Sequence, residues 1–168
     1  SAASDVYKRQ MLVGVWVNIT RRKTAELRAA EDRDLFHTLI EHIPDSIYFK
    51  NRESRFVLAN TATANKLGVP TPADLTGRTD DYFFDQTMSD ISRKEEMDIM
   101  VTGRPIRARL HHETWLHKDD SWSQISKFPW YGRNGELKGI VGISSDVTKL
   151  VKTEIKATET ARILEERN

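Results

Sequence analysis

One passage occurs twice in this chain, 128 residues apart. Leu12-Val-Gly-Val-Trp-Val-Asn-Ile-Thr20 returns as Ile140-Val-Gly-Ile-Ser-Ser-Asp-Val-Thr148. The alignment continues without a gap into charged sequence, Arg21-Arg-Lys-Thr-Ala-Glu-Leu27 and Lys149-Leu-Val-Lys-Thr-Glu-Ile155. Val13/Val141, Gly14/Gly142, Thr20/Thr148, Glu26/Glu154 and Ala29/Ala157 are identical. Each copy reads as an apolar strand that turns at once into a helix. A repeat at a domain-sized period places one structural unit between two equivalent junctions. The second copy should therefore close a complete sheet. The first, residues 11–20, reads as the orphan last strand of an upstream unit, poorly anchored here.

A chain of 168 residues holds one ordinary domain with linkers. The net charge of +1 marks neither a nucleic-acid binder nor a protein of anionic membranes. No cysteine is present, which removes disulfides, thiolate metal sites and cysteine nucleophiles and fits a reducing cytoplasm. The longest apolar run, residues 11–17, falls short of the roughly 20 residues of a spanning helix, so no membrane segment is expected. Residues 1–10 fit neither a signal peptide nor a helix pattern. Asp5-Val-Tyr-Lys-Arg-Gln10 resembles a translated transposon-end adapter, and the segment is set aside as a non-native scar.

From Thr20 the pattern is helical to Ile43, with 21–34 as a linker helix and Pro44 as its stop. Strands are predicted at 46–50 and 55–59 around the turn Asn51-Arg-Glu-Ser54. Asn60 sits where an N-cap belongs, before a short helix at 61–67 that Gly68 ends. A longer helix is predicted at 86–101, closed by Gly103. Strands follow at 107–117, 122–131 and 137–147, the last two joined through Asn134-Gly135 as a type I′ turn. The segment 149–168 reads as a C-terminal helix with a narrow coiled-coil seam at Leu150, Ala157, Ala161 and Leu164. Two strands, several helices and three strands make an α+β pattern, a five-stranded antiparallel sheet with helices on one face.

In this order the pieces resemble the PAS sensor family over residues 35–148. Ile43-Pro-Asp-Ser-Ile-Tyr-Phe-Lys50 and Arg55-Phe-Val-Leu-Ala-Asn60 look like its first two strands. Asn65-Lys-Leu-Gly68 and Asp74-Leu-Thr-Gly77 look like its glycine-ended turns, and Ser145-Asp-Val-Thr148 like its closing Asp-Ile-Thr motif. Glu53-Ser54 departs from the family, which usually has Asp-Gly there. The resemblance implies a sensory or relay module of a bacterial signalling protein, of histidine-kinase or diguanylate-cyclase type. It implies a homodimer formed through flanking helices, an adjacent PAS or output domain, and an unassigned small-molecule ligand. The implied pocket would draw on Ile47, Phe49, Phe56, Leu58, His112, Trp115, Ile125, Ile140 and Gly142. A purely structural dimerisation domain is the first alternative, and a haem or non-covalent flavin redox sensor the second.

No metal site is expected, because no pair of the five histidines is spaced to share an ion. No cofactor is assigned, with haem and flavin left open. The carboxylate pairs Asp80-Asp81, Glu95-Glu96 and Asp119-Asp120 read as solvated surface, and no nucleophile–base motif is visible, so the chain is not read as an enzyme. Asp146 and Thr148 carry the strongest functional expectation. As a helix cap they would couple the last strand to the outgoing helix.

Overall fold

A computed structural model describes residues 2–166 and divides into two units, each taken by itself. The first is a single helix, α1 (Ala2–His42). It absorbs the segment 11–20, so the expected strand there is corrected to helix. With no partner strand among the described residues of its unit, that passage pairs its backbone N–H and C=O groups within the helix. Met11, Val13, Val15, Trp16, Val17 and Ile19 are exposed along it. Within the segment 1–10, Asp5, Lys8, Arg9 and Gln10 are exposed; residue 1 lies outside the described residues, as do 167 and 168.

The second unit has the expected α+β architecture. Strands β1 (Ser46–Asn51), β2 (Phe56–Ala59), β3 (Ile106–Glu113), β4 (Ser121–Tyr131) and β5 (Leu137–Asp146) form one antiparallel sheet in the order β2-β1-β5-β4-β3. Between β2 and β3 run α2 (Thr61–Leu67), 3₁₀ turns at Pro72–Leu75 and Asp80–Tyr82, and α3 (Gln86–Thr102). The sheet then delivers the chain into α4 (Thr148–Glu166). Phe56, Ala59, Leu75, Phe83, Phe84 and Met88 form the apolar core, with Tyr48, Leu67 and Trp115 packed against it. Among the described residues no helix is long and apolar enough to cross a membrane.

Local chemistry sets the boundaries. Asn60 caps α2 by accepting from Thr63 N at 3.0 Å, and Gly68 ends it at φ 74°. One turn differs from its expected type. At the β4–β5 hairpin only Gly135 has positive φ, so the I′ turn is replaced by a type I turn with a left-handed fourth residue; Gly135 N donates to Gly132 O at 3.0 Å. The β1–β2 hairpin repeats this geometry, Ser54 N donating to Asn51 O at 3.0 Å, but places Ser54 in the left-handed position at φ 58°. Asn51 Oδ1 supports that turn by accepting from Glu53 N and Arg55 N, both at 3.0 Å.

Candidate functional site

Side chains alternate across a strand, and here the helix-covered face of the sheet carries the charge. Ser46, Tyr48 and Lys50 of β1 point there, as do His111 and Glu113 of β3, Ser123, Ile125 and Lys127 of β4, and Ile140, Gly142 and Ser144 of β5. Lys50 and Lys127 are each 1% exposed. A buried ammonium needs partners at hydrogen-bond distance, and α3 with its preceding turn supplies them. Lys50 Nζ lies 2.7 Å from both Asp80 Oδ2 and Glu96 Oε1. Lys127 Nζ donates to Ser92 Oγ at 3.0 Å and makes an ion contact with Glu95 Oε2 at 3.1 Å. Glu95 Oε1 also meets His111 Nε2 at 2.9 Å and Arg109 Nη1 at 2.8 Å.

These pairs set the ionisation of the cluster. Burial alone would lower Lys50, but Asp80 and Glu96 beside it hold it raised. Burial would likewise raise Glu95, yet the His111 hydrogen bond and the Lys127 charge bring it down to about 2. Asp80 is lowered by Lys50 and Lys127 against the same burial effect. Tyr48 is raised by burial and by Glu96 and Asp80, which keeps it a neutral phenol. Among the described residues, Glu96 Oε2 and His111 Nδ1 are buried without a hydrogen-bond partner.

A second cluster lies nearer the exit of the sheet. Lys66 Nζ, from the last turn of α2, reaches Glu113 Oε1 at 2.8 Å, Ser123 Oγ at 2.8 Å and Ser144 Oγ at 2.7 Å. Between the two clusters is a cavity walled by Tyr48, Phe56, Leu67, Phe84, Met88 and Ile125, with Lys66, Asp80, Ser92, Glu113 and Lys127 at its polar edges. A water centre can roam through about 40 Å³ of it. That is room for about three waters at ~10–15 Å³ each.

The chain leaves the sheet beside the Lys66 cluster. Asp146 Oδ1 accepts from Thr148 N at 2.9 Å, Val147 N donates to Trp122 O at 2.9 Å, and Thr148 Oγ1 accepts from Trp122 N at 2.9 Å. The start of α4 is thereby fastened to both β4 and β5. The Thr148 contact, with Lys66 and Lys118 nearby, holds the Asp146 carboxyl below the ordinary range.

Of the residues expected in a pocket, Phe56 and Ile125 line the cavity. Ile140 is fully buried on the same face, and Gly142 leaves space for Tyr48, whose ring would lie 2.2 Å from a Cβ added there. Trp115 packs on Phe84 with ring centroids 4.2 Å apart, beside the cavity rather than in its wall. Ile47, Phe49, Leu58 and His112 are corrected to the opposite face. Phe49 meets Trp130 there, and His112 stacks on Trp122 and pairs with Asp120. His111, not His112, is the buried histidine. Asp80, Glu95 and Glu96 are buried, against the solvated reading of their carboxylate pairs. The sequence signal was parity: Lys50 shares its strand face with Tyr48, and Lys127 shares its face with Ile125.

The sequence profile of the PAS fold matches residues 40–152. A methanogenesis regulatory histidine kinase, FilI, of Methanothrix harundinacea is 23% identical over 129 residues, covering 77% of this chain and 14% of that protein. A diguanylate cyclase of Vibrio cholerae is 27% identical over 139 residues, covering 80% of this chain and 42% of its own length. The chain thus spans less than half of either relative. The PAS domain of Bordetella pertussis BvgS superposes with a TM-score of 0.56 at 24% identity, covering 77% of this chain and 98% of that domain.

Proposed function

The chain belongs to the PAS family, and from that premise we propose that its second unit is the sensory and relay module of a signal-transduction protein whose output is of histidine-kinase or diguanylate-cyclase type. The observation that carries the reading is the junction. β5 passes into α4 through one intervening residue, Val147, and four atoms of that passage bond to Trp122 or to each other. A displacement of β4 against β5 therefore has to move the first turn of α4. The protein acts in the cytoplasm as a homodimer through its flanking helices, where Leu150, Ile155, Ile163 and Leu164 leave apolar surface on α4. Its role is non-catalytic, the reaction residing in the output domain.

Placing the whole chain ahead of a histidine-kinase core tests this. Asp146→Ala should keep the far-UV spectrum and shift basal autophosphorylation several-fold. An unchanged basal level in a folded variant would sink the relay.

The small cavity favours a second reading, a structural dimerisation domain without ligand. Ligand pockets for drug-sized molecules run to ~300–1,000 Å³, whereas this one offers about 40 Å³. Mass spectrometry of the native protein and of its organic extract separates the two readings. The small cavity and the Glu95 partner of the buried His111 weigh against haem and flavin; a visible absorption band in the purified protein would restore that reading.

A further inference from the structure

We infer that Lys66 is the clamp that ties the cavity to the output junction, and that a compact, uncharged hydrogen-bond acceptor releases it. The inference rests on the sensory reading for the source of the signal, but not for the clamp. A lysine ammonium has three N–H donors. Those of Lys66 go to three different strands: Glu113 of β3, Ser123 of β4 and Ser144 of β5. Ser123 adjoins Trp122, whose backbone holds Val147 and Thr148, and Ser144 lies two residues before Asp146 on the same strand face. Glu113 Oε2 closes the cluster by accepting from Ser121 Oγ at 2.9 Å and Ser123 Oγ at 2.8 Å.

Lys66 also lines the cavity. The other cavity-lining lysine, Lys127, finds its partners on α3, at Ser92, Glu95 and Glu96. Among the described residues Lys66 is thus the cavity-lining cation bonded to both strands that meet at the junction. An occupant that offers an oxygen to its Nζ draws the ammonium away from Ser144 and Ser123. Glu113 stands 2.8 Å from that nitrogen and disfavours an anion, while the aromatic and aliphatic walls favour a neutral body. The fitting chemistry is a small hydroxyl, carbonyl or amide compound.

Amide hydrogen exchange on the whole chain reads the clamp directly. In Lys66→Met the amides of Val147 and the first turn of α4 should exchange roughly tenfold faster, the scale of one lost net hydrogen bond, with β1 and β2 unchanged. Because that change leaves the buried Glu113 without the cation beside it, Lys66→Met/Glu113→Gln is measured alongside. The double variant should melt near the parent and keep the fast junction. A junction as protected as the parent's in the double variant, or acceleration spread evenly over β1 and β2, overturns the clamp. Acetamide at millimolar concentration should speed junction exchange in the parent and not in Lys66→Met, with acetate inert. Acetamide without effect, or acetate acting alone, overturns the ligand class. A loosened Lys66→Met junction with kinase output indifferent to Asp146→Ala would sink the sensory reading and leave the clamp standing. A responsive kinase with a rigid Lys66→Met junction would do the reverse.

Discussion

Residues 140–148 run through the central strand of a five-stranded sheet into the start of α4, whereas residues 12–20, the same passage 128 positions earlier, lie inside α1. The later copy has β1 along one edge and β4 along the other, and Ile140 is fully buried. The earlier copy has no strand beside it among the described residues of its unit, and Val13, Val15, Trp16 and Val17 are exposed. Even Thr20 changes role: its hydroxyl donates to Trp16 O at 2.9 Å, a bond internal to the helix. Strand propensity is mostly the packing of side chains against cross-strand neighbours. With neighbours the passage is a strand; without them, its hydrogen bonds close on themselves. The copies also diverge at their edge. Met11 stands at the position of Gly139, where φ is 154° and an added Cβ would fall 1.9 Å from Lys50 O. The first copy could not be dropped into the place of the second.

The matched glycines give the largest expected contrast. At Gly142 an added Cβ meets the Tyr48 ring at 2.2 Å, whereas at Gly14 nothing lies within 4 Å. Gly142→Ala should cost ~3 kcal/mol or more, the upper end of overpacking a tight core, read as a lowered urea midpoint of the sheet unit. Gly14→Ala should add helix content to α1, favouring the helix by ~1 kcal/mol. Equal effects from the two variants would mean that the copies share one environment.

The matched threonines come next. Thr148 Oγ1 accepts from Trp122 N, and its own N–H donates to Asp146. Thr148→Ala strands the Trp122 N–H and should cost ~1–2 kcal/mol. Thr20→Ala removes only a bond back to the preceding turn, which contributes little to a helix, so its melting curve should overlay the parent's. A Thr148→Ala protein with unchanged stability would show that the junction is held without the side chain.

The helix ends were legible because they rest on short-range chemistry. Asn60 accepts from Thr63 N, Gly68 and Gly103 end their helices, and Asp146 accepts from Thr148 N, each within a few residues; the tie of Thr148 to Trp122 spans 26 positions and carries no such local signal. Which face of the sheet is inside was not legible by the same logic. Placing Ile47, Phe49 and Leu58 inward assumed that apolar residues define the core. The inner face instead carries Lys50, Lys127, His111 and Glu113; Lys50, for one, is made tolerable by carboxylates 30 and 46 positions away, Asp80 from the turn before α3 and Glu96 from α3 itself. Such complementarity is long-range, and nothing in a single strand announces it. A one-residue change of parity then exchanges the two faces. The Ser54 turn shows a milder form: a serine stands where the family usually has glycine, yet Asn51 Oδ1 holds the turn with that serine in the left-handed position.

The smallest contrast lies at the position just before each threonine's neighbour, Asn18 in one copy and Asp146 in the other. Only the latter titrates. Its folded pKa is lowered by the Thr148 hydrogen bond, with Lys66 and Lys118 adding to it. A carboxyl lowered on folding binds fewer protons folded than unfolded, so its contribution is fully present above the ordinary aspartate value of ~3.9 and is lost as pH falls through the folded value. Glu95, brought down to about 2, acts over the same acid limb, but through the buried Lys127 and His111 contacts and hence on the whole sheet unit. The two separate by where protection is lost. Amide exchange followed downward from pH 5 should show the first turn of α4 loosening while β4 and β5 stay protected, and Asp146→Asn should abolish that local step without moving the global acid transition. Should the step persist in Asp146→Asn, the junction's acid response belongs to another group, and the difference between the two copies would be one of packing alone.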